Sequence, residues 1–385
     1  MRDGIVLTAG LLRESCRLAA ERWWGRGNAP RAAAEVKPEW LTHALQADFP
    51  GVRVRGLDAI DQHAGTTDRA RLRVTYDDAG TGVPPPPSVF VKAAPPDFKT
   101  RLFLNVMGIG SSEVRFYREI APDLPIERPR VFHACITGPA QRFVLVLEDL
   151  AARGAHFADV TTHVSVERAQ SVVRELARLH ARFWNSPRLR GDLAWLRAPD
   201  RRPHAAAERC VCALAAAPAL RRFTDVVPPE LRAAGPRIMA ARDRFEAVWA
   251  RGPLTVVHGD AHIGNMYFLP ETVGLLDWQV VQCCQGMRDV TYFLIGSVSS
   301  ELRRAHQRDL IGDYLSTLRD HGVAAPDFDA AWMQYRLHAP WIWIASVVTA
   351  ASATLQAESI ARAALSRSSA ALLELDSLGA LEAGC

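Results

Sequence analysis

Lysine is nearly missing from this chain. Only Lys37, Lys92 and Lys99 occur, against 43 arginines. An arginine-favouring genome accounts for most of that skew, and it makes each lysine a position where arginine was not used. An excess of one charge is missing too: 46 basic residues face 42 acidic ones, and no basic run occurs. That excludes the electrostatic footprint of a nucleic-acid-binding protein. Metal-type cysteine spacing is absent. The seven cysteines stand at 16, 135, 210, 212, 283, 284 and 385, an odd number with no C-x-x-C pair. Neither a zinc ribbon nor a disulfide framework fits, and a reduced cytoplasm is the expected location. No leader is recognisable either. The apolar run at 4–12 is followed at once by Arg13 and Glu14, with no small-residue cleavage site, so an N-terminal helix is expected there. The one long uncharged stretch, 339–357, approaches spanning length. It starts with Pro340 and is diluted by Ser346, Thr349, Ser352, Thr354 and Gln356, so a buried helix is expected and no membrane span.

What is present describes a globular protein. Hydrophobic residues make up 49% and charged ones 23% of 385 residues, which rules out disorder, collagen and coiled coil. At about 150 residues per domain, two or three units are expected. No internal repeat occurs. Residues 1–50 read as helical, with Trp23, Trp24, Trp40 and Leu41 as packing points and a loop at 25–30. Residues 69–76 alternate, with Ala70, Leu72, Val74 and Tyr76 on one face and Arg69, Arg71, Arg73 and Thr75 on the other. That pattern predicts a half-buried antiparallel strand. A Gly/Pro-rich connector at 77–87 cannot pair in a sheet. Strands are expected at 88–93, 130–136 and 142–147, with a helix at 111–120 that puts Glu113, Phe116, Tyr117 and Ile120 on one face. After Glu148 the character becomes helical: 164–184, with a buried stripe through Val172, Val173, Leu176, Leu179, His180 and Phe183, then 204–250 and 289–375. A β-rich island at 254–278, turning at Pro270-Glu271, interrupts these helices.

The island carries the strongest chemical signal, His258-Gly259-Asp260-Ala261-His262-Ile263-Gly264-Asn265, then Leu275-Leu276-Asp277-Trp278-Gln279. An aspartate precedes an asparagine by five residues, and a second aspartate leads out of a strand twelve residues later. Phosphoryl transfer needs this set. Asp260 would orient and deprotonate the attacking hydroxyl, and Asn265 and Asp277 would hold Mg²⁺, which takes hard oxygen ligands.

These motifs, HGDAHIGN and LLDWQ, resemble the aminoglycoside phosphotransferase and choline kinase-like families, including the ecdysteroid kinase-like branch. The resemblance implies an α+β, two-lobed protein-kinase-like fold, with a small antiparallel-sheet N-lobe at 36–148 and a larger, mainly helical C-lobe at 149–385. Residues 1–35 form a helical extension before them. It implies ATP and Mg²⁺ as cofactors and a small-molecule alcohol as acceptor. It also implies roles upstream. Lys92, on the strand Val89-Phe90-Val91-Lys92, would grip the α- and β-phosphates. Glu113 would hold that lysine. The turn Gly65-Thr66-Thr67 would cover the phosphates, and Glu148-Asp149-Leu150 would meet the adenine as a hinge. The segment 176–184 resembles a helix of the ecdysteroid kinase-like branch, and Asp289 matches an aspartate that braces the catalytic loop.

The chain departs from the family pattern in places. Gly65 is the one glycine in the phosphate turn, and Gln279 stands where choline kinases carry an acidic residue. His258 and His262 are expected to support the loop rather than carry protons. Two other functions compete: a non-catalytic nucleotide-binding protein, and a metallohydrolase that uses His258-x-Asp260-x-His262. The aromatics Trp332, Tyr335, Trp341 and Trp343 read as core or as a substrate wall. Cys283-Cys284 reads as packing or as a reactive thiol near Asp277. Nothing in the sequence fixes an oligomeric state.

Overall fold

The computed structural model describes residues 2–24, 28–77, 83–196, 204–351 and 357–383. Residues 25–27 of the expected loop, 78–82 of the connector, 352–356 of the uncharged stretch and Cys385 lie outside the described residues. The chain forms two compact units. The first comprises Met1–Pro122 and Arg128–Ala155, the second Asp123–Glu127 and His156–Cys385.

The first unit is built on a five-stranded antiparallel sheet. Its strands are β1 (Val54–Ala64), β2 (Asp68–Tyr76), β3 (Ser88–Ala93), β4 (Val131–Thr137) and β5 (Arg142–Glu148), in the order β1-β2-β3-β5-β4. In β2 the alternation places Ala70, Leu72 and Val74 in the core. In β3 and β5, at the middle of the sheet, nearly every side chain is buried. Among the described residues, the helices of this unit are α1 (Arg2–Trp24), α2 (Pro38–Leu45), α3 (Phe98–Met107) and α4 (Ile109–Glu119). Leu41, Ala44 and Leu45 of α2 join the sheet residues in one hydrophobic cluster, with Trp40 packed against it. On α4 the three-four spacing buries Glu113, Val114, Phe116 and Tyr117 together. One expected packing point fails. Trp23 is 84% exposed, because α1 turns Glu14, Leu18 and Glu21 inward and Trp23 off that face.

The second unit is mainly helical: α5 (Val166–Arg182), α6 (His204–Arg222), α7 (Pro229–Ala240), α8 (Arg242–Trp249), α9 (Met287–Gly296), α10 (Ser300–Asp320), α11 (Phe328–Ala350), α12 (Glu358–Glu374) and α13 (Ser377–Ala383). Two small sheets stand among these helices. One joins β6 (His156–Phe157), β8 (Met266–Leu269) and β9 (Thr272–Leu275), and the other joins β7 (Thr255–Val257) to β10 (Gln282–Cys284). The described part of the uncharged stretch lies in α11, packed on α9 and α12. Among the described residues no helix is long and apolar enough to cross a membrane. Tyr335 and Trp343 are wholly buried, so they belong to the core rather than to a pocket wall. Cys283 and Cys284 are buried as well, and burial pushes the Cys284 thiol up, away from reactivity.

Candidate active site

The loop between β7 and β8 carries a network of polar contacts. It leaves β7 through Gly259, whose φ of 86° is left-handed and whose missing Cβ would run into the Val280 carbonyl oxygen. Only glycine fits this turn without strain. Asp289, near the start of α9, is fully buried and receives the backbone N–H groups of His258 (2.6 Å) and Gly259 (2.9 Å), one on each carboxylate oxygen. Burial pushes the Asp289 carboxyl up, but the His180 hydrogen bond and charge outweigh it and hold it below the ordinary carboxylate range. His180 Nε2 donates to Asp289 at 3.1 Å, and His180 Nδ1 lies 2.9 Å from the Tyr314 hydroxyl. A buried chain from Tyr314 through His180 to Asp289 therefore clamps the start of the loop.

Both ring nitrogens of His258 are used within the loop region. Nε2 donates to the Leu276 carbonyl at 2.9 Å, and Nδ1 accepts the Asp260 N–H at 3.3 Å. The ring also packs against buried Trp278, tilted at 43° with centroids 4.6 Å apart. His262 caps the following turn by accepting the Gly264 N–H on Nδ1, and its Nε2 stands 3.6 Å from Asp260 Oδ2. The Asn265 amide donates twice to Asp260, to the carbonyl at 2.9 Å and to Oδ2 at 3.0 Å. Leu276 N–H donates to the Asn265 carbonyl at 3.0 Å, which sets Asp277 beside the loop. Asp277 itself takes a left-handed φ of 65°, a conformation aspartate tolerates better than most residues. The structure thus gathers His258, Asp260, His262, Asn265, Asp277 and Asp289 around one loop.

The electrostatics of the loop are one-sided. Burial alone would raise the Asp260 carboxyl, but the His262 charge and the His262 and Tyr292 hydrogen bonds hold it well below the ordinary range. Burial lowers His262, and the Asp260 charge more than reverses this and raises it. Asp260 is therefore ionised throughout the neutral range. Its side chain keeps 35% exposure, open to a reactant.

In the first unit, Lys92 Nζ lies 2.6 Å from Glu113 Oε2, with side-chain exposures of 4% and 1%. Strand β3 delivers the lysine and α4 the glutamate. Gly65, Thr66 and Thr67 form the turn between β1 and β2, closed by a Gly65 N–H bond to the Thr67 carbonyl at 3.1 Å. The Thr67 side chain is buried and accepts from Arg69 Nε at 2.9 Å, so its hydroxyl faces inward. Asp149 also turns inward. It accepts a two-pronged contact from Arg71 (3.1 and 3.2 Å) and the Ser88 hydroxyl (2.6 Å). Burial raises its carboxyl, but these partners outweigh it. The carbonyls of Asp149 and Leu150 already accept the Ala152 and Ala155 N–H groups. The Glu148 N–H in turn donates to the Arg130 carbonyl at 2.8 Å. Glu148 accepts from Arg130 N–H and Arg153, each at 3.2 Å.

The oxygen donors fit Mg²⁺. The Asn265 amide NH₂ is committed to Asp260, which leaves Oδ1 as a hard acceptor, and Asp277 adds a carboxylate. They do not fit a zinc site on His258-x-Asp260-x-His262, because His258 has no lone pair to give. Among the described residues no group of three or more His, Cys, Asp or Glu is gathered as metal ligands. Tyr292, Tyr314 and the His180 contact went unseen in the sequence. Tyr292 lies three residues after Asp289 on α9, a helical spacing that could have flagged it. The His180–Asp289 contact spans 109 positions and leaves no local signal.

The sheet order of the first unit, the lysine–glutamate pair and the loop of the second unit define a protein-kinase-like fold. The chain belongs to the ecdysteroid kinase-like family, whose model matches residues 66–183 and 224–324, more than half of its length. Kinase-like phosphotransfer to small molecules is the activity of that class. Among solved structures the chain is similar to an aminoglycoside phosphotransferase described as putative, from Ralstonia eutropha JMP134 (15% identity, 88% of this chain and 98% of that one, TM-score 0.49). It is also similar to a choline/ethanolamine kinase family protein from Mesorhizobium loti (14%, 90% and 99%, 0.49). A third is the macrolide 2'-phosphotransferase MphH from Brachybacterium faecium (16%, 83% and 98%, 0.42). No curated protein matches the chain by sequence.

Proposed function

We propose that this protein is an ATP-dependent phosphotransferase that phosphorylates a hydroxyl of a small molecule in the cytoplasm. The observation that carries this reading is Asp260: ionised, partly open, and oriented by Asn265 on a loop clamped by Asp289. The acceptor hydroxyl donates its hydrogen bond to the Asp260 carboxylate. Its oxygen bonds to the γ-phosphorus as the bond to the leaving ADP oxygen breaks, and the proton passes to Asp260. The low proton affinity of Asp260 suits orientation first and proton acceptance late in the transfer. Asn265 Oδ1 and Asp277 would hold Mg²⁺, which would supply positive charge against the charge of the nucleotide phosphates. Lys92 grips the α- and β-phosphates and Glu113 fixes its ammonium. The turn Gly65–Thr67 covers the phosphates through its backbone, with Thr66 as the outward hydroxyl. Glu148–Leu150 meets the adenine through its backbone as a hinge. His258, His262 and Asp289 hold the loop in shape.

The test is transfer of label from γ-labelled ATP·Mg²⁺ to a pooled alcohol library. The expected result is a labelled product that needs both Mg²⁺ and an alcohol acceptor. A full screen with nucleotide bound but neither transfer nor hydrolysis would overturn the reading and favour a non-catalytic binder.

A further inference from the structure

Helix α1 lies outside both matched segments of the family model, yet it reaches into the centre of the first unit through one carboxylate. Glu21 Oε2 lies 2.6 Å from Arg101 NH1 on α3, and Glu21 Oε1 lies 3.0 Å from Arg142 Nε at the start of β5. All three side chains are at most 8% exposed. Arg142 NH1 donates in addition to the Arg31 carbonyl at 2.9 Å. Burial pushes the Glu21 carboxyl up, and the two arginines more than reverse it. The charge is needed, since a neutral side chain there would leave two buried guanidinium groups close together.

The two elements joined by Glu21 flank the Lys92–Glu113 pair. Helix α3 runs straight into α4, because Gly108, at a left-handed φ of 66°, ends one and starts the other. Asn105 of α3 donates to the Ala140 carbonyl just before β5 at 3.0 Å. Strand β5 pairs with β3, setting Leu145 opposite Lys92. Helix α4 rests directly on β5, so closely that a Cβ at Gly110 would strike the Phe143 ring. Gly110 is one helical turn before Glu113, and Phe143 is the residue after Arg142. Fixing Arg101 and Arg142 to one carboxylate therefore fixes the helix that carries Glu113 against the strand next to Lys92.

We propose that Glu21 is a positioning residue for nucleotide binding: through Arg101 and Arg142 it holds Glu113 in register with Lys92. This rests on the phosphate-grip reading of Lys92. The test is a double-mutant cycle on the full chain, read as the dissociation constant for ATP·Mg²⁺. Glu21→Gln is expected to weaken binding by roughly three- to tenfold, a size typical of coupled neighbours. In the Glu113→Gln background the same change should alter binding by less than about twofold, while Glu21→Asp restores most of the affinity. A helix that merely stabilises the fold would lower the melting temperature in both backgrounds without this non-additivity. If Glu21→Gln does not fold, Arg101→Gln, which cuts the α3 arm alone, carries the same cycle. Full affinity in the folded variant, or effects that multiply across the two backgrounds, would overturn the proposal. Lys92→Ala separates the two claims: unchanged affinity there sinks the phosphate grip itself, whereas lost affinity there with a silent Glu21→Gln sinks only the clamp.

Discussion

At Lys92 the proposed role asks for a compact ammonium rather than a planar guanidinium. Its side chain is buried, 2.6 Å from Glu113, and under the proposed phosphate contact a planar fork would meet that carboxylate and a phosphate from the same position less well than a point-like ammonium. Lys92→Arg should weaken ATP·Mg²⁺ binding by at least about tenfold, roughly 1.4 kcal/mol, as measured by titration calorimetry; wild-type affinity would remove the argument. The scarcity of lysine made this residue legible, and the spacing to Glu113 made its partner legible. Asp149 was not. Its place after an apolar strand reads as part of a backbone hinge, while its side-chain partners, Arg71 and Ser88, lie far away in sequence and leave no local signal. Asp289 permits a signed prediction. Its folded pKa is depressed, so its ionised form stabilises the protein above the unfolded value of about 4 and that contribution is lost as pH falls through the folded value. Asp289→Asn should cost about 2–4 kcal/mol near neutrality. The gap in melting temperature between variant and wild type should stay constant from about pH 5 to 8 and narrow below about pH 4. A gap that widens in acid would contradict the assignment.

At the scale of elements, the loop from His258 to Asn265 depends on one backbone conformation. Gly259→Ala introduces a Cβ where the chain is left-handed and the Val280 carbonyl is in the way. The expected cost is about 2–4 kcal/mol, with most phosphotransfer lost because Asp260 is the next residue. A variant as stable and active as wild type would show that the loop is not built this way. The strand before the loop and the hairpin after it could be read from short apolar runs around Pro270-Glu271. Strand β10 could not, since three residues, Gln-Cys-Cys, are too short to show a period and are defined only by pairing with β7. Helix α3 was missed for a related reason: its Asp97 cap and αL Gly108 stop are local signals, but the apolar spacing between them is weak. Trp23 shows the opposite error. Tryptophan is usually a packing residue, yet the buried face of α1 runs through Glu14, Leu18 and Glu21 instead.

For the whole molecule, the two-part α+β organisation was legible from the change in periodicity after the first 150 or so residues. The ordered set of motifs, from the phosphate turn to LLDWQ, pointed to the family that the chain matches. What the sequence withheld is long-range: the Tyr314–His180–Asp289 chain and the Glu21 clamp, each formed by residues tens to more than a hundred positions apart. A ligand that binds only the folded state raises stability, by about 2.7 kcal/mol at a hundredfold excess over its dissociation constant. ATP with Mg²⁺ should therefore raise the melting temperature by several degrees. Chelating the metal should remove most of that gain, and Asp277→Ala should make the shift insensitive to chelation. An equal shift with and without metal in the wild type would place Mg²⁺ outside the site.

Asp260 as the acceptor of the hydroxyl proton is tested by single-turnover transfer from ATP·Mg²⁺ to an accepted alcohol in Asp260→Ala. If Asp260 has that role, the transfer rate falls by about 10²–10⁴, with nucleotide affinity within about threefold of wild type, a difference of roughly 0.6 kcal/mol. Transfer at the wild-type rate in that variant would contradict it.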